Sequence, residues 1–105
     1  MNTTSDDKAP LFHLGRLLAT PNYLHQWRAG HAGDEEAAQK GTLDLVWRHV
    51  TGDFSDCGEE DAQSNRDAIK NGSRVFNVFH TKIGTVWIIT EADRSATTIL
   101  MPEDY

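Results

Sequence analysis

Apolar positions recur along this chain with a helical period at first and a strand period in its last third. Thr20-Pro21 opens the first helical pattern, with threonine as N-cap and proline at the first helical position. Tyr23, Leu24 and Trp27 then share a face, and Gly30 ends it. The apolar run Leu11–Ala19, interrupted by Gly15, reads as a short strand, and His31–Gly41 reads as a loop or an exposed helix. Leu43, Val46, Trp47 and Val50 repeat at i, i+3, i+4 and i+7 behind Thr42 as a cap, which predicts a helix with that stripe in the core. Turn chemistry over 51–56 stops it. Glu59, Glu60 and Asp61 suit the first turn of another helix, closed by Lys70 and Gly72. Its stripe is thin: Ala62 and Ile69 are the anchors, with Asn65 and Arg66 between them, so a polar side chain is aimed inward or at a crevice.

Segments 74–79, 85–90 and 96–101 are rich in β-branched and aromatic residues and are separated by turns at 81–84 and 92–95. They predict an antiparallel meander. The simplest register places Val75, Asn77, Phe79, Val86, Ile88, Thr90, Thr97, Ile99 and Met101 on one face. Phe76, Val78, His80, Trp87, Ile89, Thr98 and Leu100 take the other. Both faces are apolar, so if helices cover one, the other calls for the 11–19 segment, another helix or a second molecule. The expected fold is α+β, with N-terminal helices packed on a C-terminal antiparallel sheet of three to four strands. Residues 11–105 form a single domain in this reading and 1–10 a disordered tail.

A length of 105 residues excludes a cofactor domain joined to a substrate domain. With 16 acidic against 10 basic side chains the net charge is −6, which repels a polyanion and restricts nucleic acid to a local patch at most. A single cysteine allows no internal disulfide and no cysteine-rich zinc spacing, and no two of the five histidines stand at i, i+4. No metal and no cofactor are expected. The acidic start and the absence of an apolar run near the roughly 20 residues of a membrane span point to no membrane and to the cytoplasm.

In the predicted register Asn77, Thr90 and Thr97 gather toward one end of a sheet face, near Arg74 and Arg94. His49, before a Gly-Asp turn, is the histidine best placed to join them. The set reads in two ways. One is a buried hydrogen-bond network. The other is a catalytic set of His49, Arg74, Thr90, Arg94 and Thr97, with His49 as acid or base and an arginine on phosphate, in a metal-independent ribonuclease-like or phosphotransfer enzyme. The leading reading is an acidic, non-enzymatic protein-binding module. Its binding candidates are Asp53, Asp61, Asn65, Asn77 and Trp87, its partner a protein with a basic surface, and a homodimer through the sheet would hide the second apolar face.

These residues also carry a resemblance. Leu-Phe-His-Leu-Gly at 11–15, Arg48-His49-Val50-x-Gly52-Asp53, Glu60-Asp61-x-x-x-Asn65, Gly72-x-Arg74 and the long string from Trp87 to Tyr105 are similar to a family of short bacterial proteins of plasmids and other mobile elements, labelled plasmid-related protein or type I restriction subunit. The resemblance implies that His49, Asp53, Asp61, Asn65, Arg74, Thr90, Asp93, Arg94 and Thr97 matter, and makes a host restriction or CRISPR component a candidate target. The chain departs from the usual pattern at Phe54, at Asn77-x-Phe79 and in a longer stretch over 30–41. A weaker likeness, in element order alone, is to small ribonuclease toxins of the barnase kind.

Overall fold

The computed structural model describes residues 8–105. The elements are β1 (Arg16–Ala19), α1 (Pro21–Gly30), α2 (Glu35–Val50), α3 (Glu59–Asn71), β2 (Val75–Thr81), β3 (Gly84–Thr90), β4 (Ala96–Leu100) and a terminal 3₁₀ turn, Pro102–Asp104. The chain is thus α+β, as expected. The expected tail lies largely outside the described residues, and the 8–10 stretch carries no regular element. Among the described residues no helix is long and apolar enough to cross a membrane.

The meander forms in the expected register, with Val75 opposite Thr90, Asn77 opposite Ile88, and Ile88 and Thr90 opposite Ile99 and Thr97. The sheet is not wholly antiparallel, however. Its order is β1-β4-β3-β2, and β1 runs parallel to β4. Of the apolar 11–19 run only Arg16–Ala19 is strand, and it extends the sheet rather than covering a face. Gly15 makes the entry possible, because its φ is +65° and a Cβ there would collide with the Arg94 and Ser95 carbonyls.

Helices α1 and α2 cover the inner face. Thr20 caps α1 by accepting from the Tyr23 amide at 3.1 Å, with Pro21 in the first turn. Tyr23 and Trp27 enter a core with Ala38, Leu45, Val46, Phe79, Val86, Ile88, Ile99 and Met101. Trp27 donates its indole N–H to the Ala38 carbonyl at 2.8 Å, and the Tyr23 hydroxyl meets Thr42 at 2.7 Å. Burial pushes that phenol up to about 12. Each such large side chain, fully buried, stabilises the fold by roughly 1.5–3 kcal/mol.

The inward stripe of α2 differs from the one the large hydrophobics suggest. The helix starts earlier, capped by Asp34, and it buries Ala38, Leu45, Val46, His49 and Val50. Leu43 and Trp47 stay 57% and 43% exposed. Thr42 is a mid-helix residue rather than a cap, and Leu24 likewise faces outward. Helix α3 ends as expected, with Gly72 in the left-handed region at φ 77°. It buries Ala62, Asn65 and Ala68, while Arg66 is exposed. Ala62 and Ala68 pack with Phe54 and Val75 in a second apolar cluster beside β2.

Candidate functional site

The polar residues predicted to gather divide between three places. The first is a buried chain on the inner face. His49, carried there by the last turn of α2, meets Thr90 Oγ1 through Nε2 at 2.9 Å. Thr90 meets Thr97 at 2.7 Å, and Thr97 donates to the Leu14 carbonyl at 2.7 Å. Proton counting orders the chain. Thr97 has one hydroxyl hydrogen and gives it to a carbonyl, which can only accept, so Thr90 donates to Thr97 and His49 donates through Nε2. A neutral imidazole carrying its proton on Nε2 meets that order. Burial pushes its pKa down to about 3. Nδ1 has no partner among the described residues, and Phe12 stands edge-on to the ring at 5.2 Å. His49, Thr90 and Thr97 are all closed to solvent.

The second place is the β2 edge and the loop beside it. Asn65 reaches from α3 and grips Phe76 as a neighbouring strand would, accepting from its amide at 3.0 Å and donating to its carbonyl at 2.8 Å. Buried Asn77 donates to the Asp53 carbonyl at 3.1 Å and accepts from the Val78 amide at 2.8 Å and the Cys57 thiol at 3.3 Å. Burial pushes that thiol's pKa up. Asp53 pairs with Arg48 at 2.8 Å. Its partial burial opposes ionisation, but hydrogen bonds from Ser55 and Arg48 outweigh it and hold the carboxyl at about 2. Arg94 closes the far end of this region. Its own backbone is left-handed at φ 61°, and its guanidinium donates to the carbonyls of Ser73, Glu91 and Ala68 at 2.6, 3.1 and 3.1 Å. Asn65, Asn77, Asp53 and Arg94 are thus each committed to the backbone or to a neighbour.

The third place is the outer face of the sheet, where Ile89 and Leu100 are buried but the described α-helices leave Phe76, Val78 and Trp87 half-buried. Phe76 on β2 and Trp87 on β3 meet at 4.9 Å between centroids, and Tyr105 joins them at 5.8 and 5.6 Å, all edge to face. Arg74 lies over Phe76 and Tyr105 at 5.8 and 5.6 Å and donates to the Tyr105 hydroxyl at 3.0 Å. Beside this cluster runs a groove of about 420 Å³ between α3 and the sheet, lined by Asp61, Ser64, Asn65, Arg74, Phe76, Val78 and Trp87. Asp61 stands exposed at its edge, next to Glu59 and Glu60 in the first turn of α3.

The structure therefore joins His49 to Thr90 and Thr97 but sets Arg74 on the opposite face and Arg94 in the β3–β4 turn. The five catalytic candidates do not share a cleft. Of the binding candidates, Asp61, Asn65 and Trp87 line the groove, whereas Asn77 and Asp53 do not. Phe76, Val78, Ser64 and Tyr105 are groove or cluster residues that the sequence reading did not single out. Strand alternation already put Phe76 and Val78 on the face of Trp87, and that was the available signal. Among the described residues no three His, Cys, Asp or Glu side chains converge to hold a metal ion.

Fold and site together define an α+β domain with a sealed polar core and an open aromatic sheet face. Comparison with protein families, with curated proteins and with solved structures finds no match to the chain.

Proposed function

We propose that the protein is a non-catalytic protein-binding module that docks a partner of basic surface on the outer face of its sheet. The observation that carries this reading is the cluster beside an open groove in which half-buried Phe76 and Trp87 meet exposed Tyr105 and Arg74. Aromatic residues and arginine are the side chains that concentrate binding energy at protein interfaces, because they bury large, stiff surfaces around a polar tip. Glu59, Glu60 and Asp61 on the flank, with the net charge of −6, favour a cationic partner and disfavour nucleic acid. The alternative, a ribonuclease-like or phosphotransfer enzyme, needs His49 to reach substrate, and a neutral imidazole enclosed by Phe12, Thr90 and the core supports the binding reading instead. The resemblance to mobile-element proteins favours a bacterial, cytoplasmic setting for such a module, with a host restriction or CRISPR component as the partner class.

The test has two arms. Immobilised protein is expected to retain a basic partner from bacterial extract at low salt and release it as salt rises. Trp87→Ala weakens that retention about thirtyfold, equivalent to roughly 2 kcal/mol for a central interface aromatic. Labelled RNA and DNA incubated with the protein stay intact. Cleavage that disappears in His49→Gln would overturn the proposal in favour of the enzyme, and so would retention unchanged by Trp87→Ala.

A further inference from the structure

The two edges of the sheet are chemically unlike. On β2 the outward amides are those of Phe76, Val78 and His80, and each donates to a side-chain oxygen of its own chain: Asn65 at 3.0 Å, Asn77 at 2.8 Å and Asp56 at 2.9 Å. That edge has no amide left to offer another strand. On β1 the amides of Arg16 and Thr20 donate inward, to the Ser95 and Ile99 carbonyls at 3.0 Å each. Alternation along the strand turns the N–H and C=O of Leu17 and Ala19 away from the sheet. Among the described residues no hydrogen bond outside the sheet takes them up.

The open edge is also flanked by apolar surface. Leu17, Leu24 and Leu43 border a groove of about 250 Å³, and Leu43 and Trp47 continue into a second one with Phe12 and Leu14. Leu17, Leu18, Leu24, Leu43 and Trp47 are 40–57% exposed. At on the order of 200 Å² for a fully exposed large side chain, these five leave roughly 450 Å² of apolar surface uncovered. A standard interface takes about 800 Å² from each partner, a little over half of it apolar, and this apolar surface, with Leu18 on the outer side of the edge and the other four on the helix side, approaches what one partner needs.

We propose that this edge is the contact between two copies of the chain, with β1 pairing antiparallel to its counterpart about a two-fold axis at Leu18. Only odd-numbered residues of β1 point outward, and that restricts the register. Leu17 exchanges both backbone hydrogen bonds with Ala19 of the second copy, and Ala19 does the same with Leu17. Leu18 faces Leu18 across the axis as a non-hydrogen-bonded pair, the closer of the two antiparallel spacings. Arg16 then stands opposite Thr20 of the second copy. In each chain Thr20 donates to Asp104 at 2.7 Å, and Asn22 donates to both Asp104 and Glu103 at 3.0 and 3.3 Å. Among the described residues these two carboxylates meet no cation and Arg16 meets no carboxylate. The two-fold brings the unpaired guanidinium of one copy to the unpaired acids of the other. Because the β2 edge is occupied, the assembly closes at two copies instead of growing into a continuous sheet.

Sedimentation between about 1 and about 100 µM is expected to show a shift from the mass of one chain to that of two. Leu18→Lys places two ammonium groups against each other on the axis and raises the dissociation constant at least tenfold. Leu18→Cys, in a Cys57→Ser background, forms a covalent dimer on mild oxidation because directly opposed positions meet the Cα spacing of a disulfide. Leu11→Cys, exposed elsewhere, does not. A wild-type chain that stays monomeric to the top of that range overturns the proposal. So does a dimer that neither responds to Leu18→Lys nor cross-links at position 18. Should Leu18→Lys fail to fold, the cross-link decides alone.

Discussion

Burial keeps His49 neutral in the fold, and that has a measurable consequence. Free imidazole titrates near 6.5, whereas burial pushes His49 down to about 3. Between those values the unfolded chain holds a proton that the folded chain does not, so stability rises with pH across the window. The contribution is fully present above about 6.5 and is lost as pH falls toward 3, at about 1.4 kcal/mol per pH unit at its steepest. Urea unfolding at pH 7 and pH 5 is expected to differ by roughly 2 kcal/mol through this group. In His49→Gln the slope between those pH values flattens by one proton, and an unchanged slope would show that another group supplies it. Asp53 acts in a lower window, since its folded value near 2 lies below the ordinary 3.8, and its stabilisation is lost as pH falls between them. The residue types at both positions were visible in the sequence, but their roles were not. A histidine followed by Val-Thr-Gly-Asp reads more readily as part of a hydrogen-bond network than as a base, and its enclosure by Phe12, Thr90 and Thr97 is what seals it there.

Elements were legible where one face dominates and illegible where pairing spans the chain. The register of β2, β3 and β4 followed from alternation alone, because a slip by one residue would send Ile88, Ile99 and Thr90 to the opposite face. The caps of α1 and the C-terminus of α3 were equally plain in Thr20-Pro21 and Gly72. In α2 the large side chains misled. Leu43 and Trp47 have a helical period with Val46 and Val50, but the face that touches the sheet is rotated toward Ala38, Leu45 and His49, a stripe that hydrophobicity alone ranks lower. The parallel pairing of β1 with β4 has no local signal, since nothing near residue 16 marks residue 96 as its partner. Gly15 is the local residue on which that pairing depends. Gly15→Ala needs both a left-handed backbone for a residue with a Cβ and space held by the Arg94–Ser95 backbone, and is expected to destabilise the protein by about 2 kcal/mol or more. Thermal or urea unfolding measures it, and a neutral result would mean that β1 enters the sheet by another route.

At the scale of the whole molecule, the first and last strands are neighbours. The Thr97 hydroxyl and the Leu14 carbonyl it contacts are 83 positions apart, so closing this part of the sheet carries one of the largest loop entropies in the fold. Docking of β1 is therefore expected to follow formation of the β2–β4 meander. In a kinetic test, Ala19→Gly in β1 should speed unfolding with little change in the folding rate, while Ile88→Val in the central strand should slow folding. The reverse pattern would place β1 in the nucleus. The same separation matters on the ribosome. At about 5–20 residues per second, Leu17 and Leu18 emerge on the order of ten seconds before β4, the strand beside them, has been synthesised. For that interval the nascent chain presents an apolar segment whose strand partner does not yet exist, the kind of surface that chaperones acting during synthesis shield.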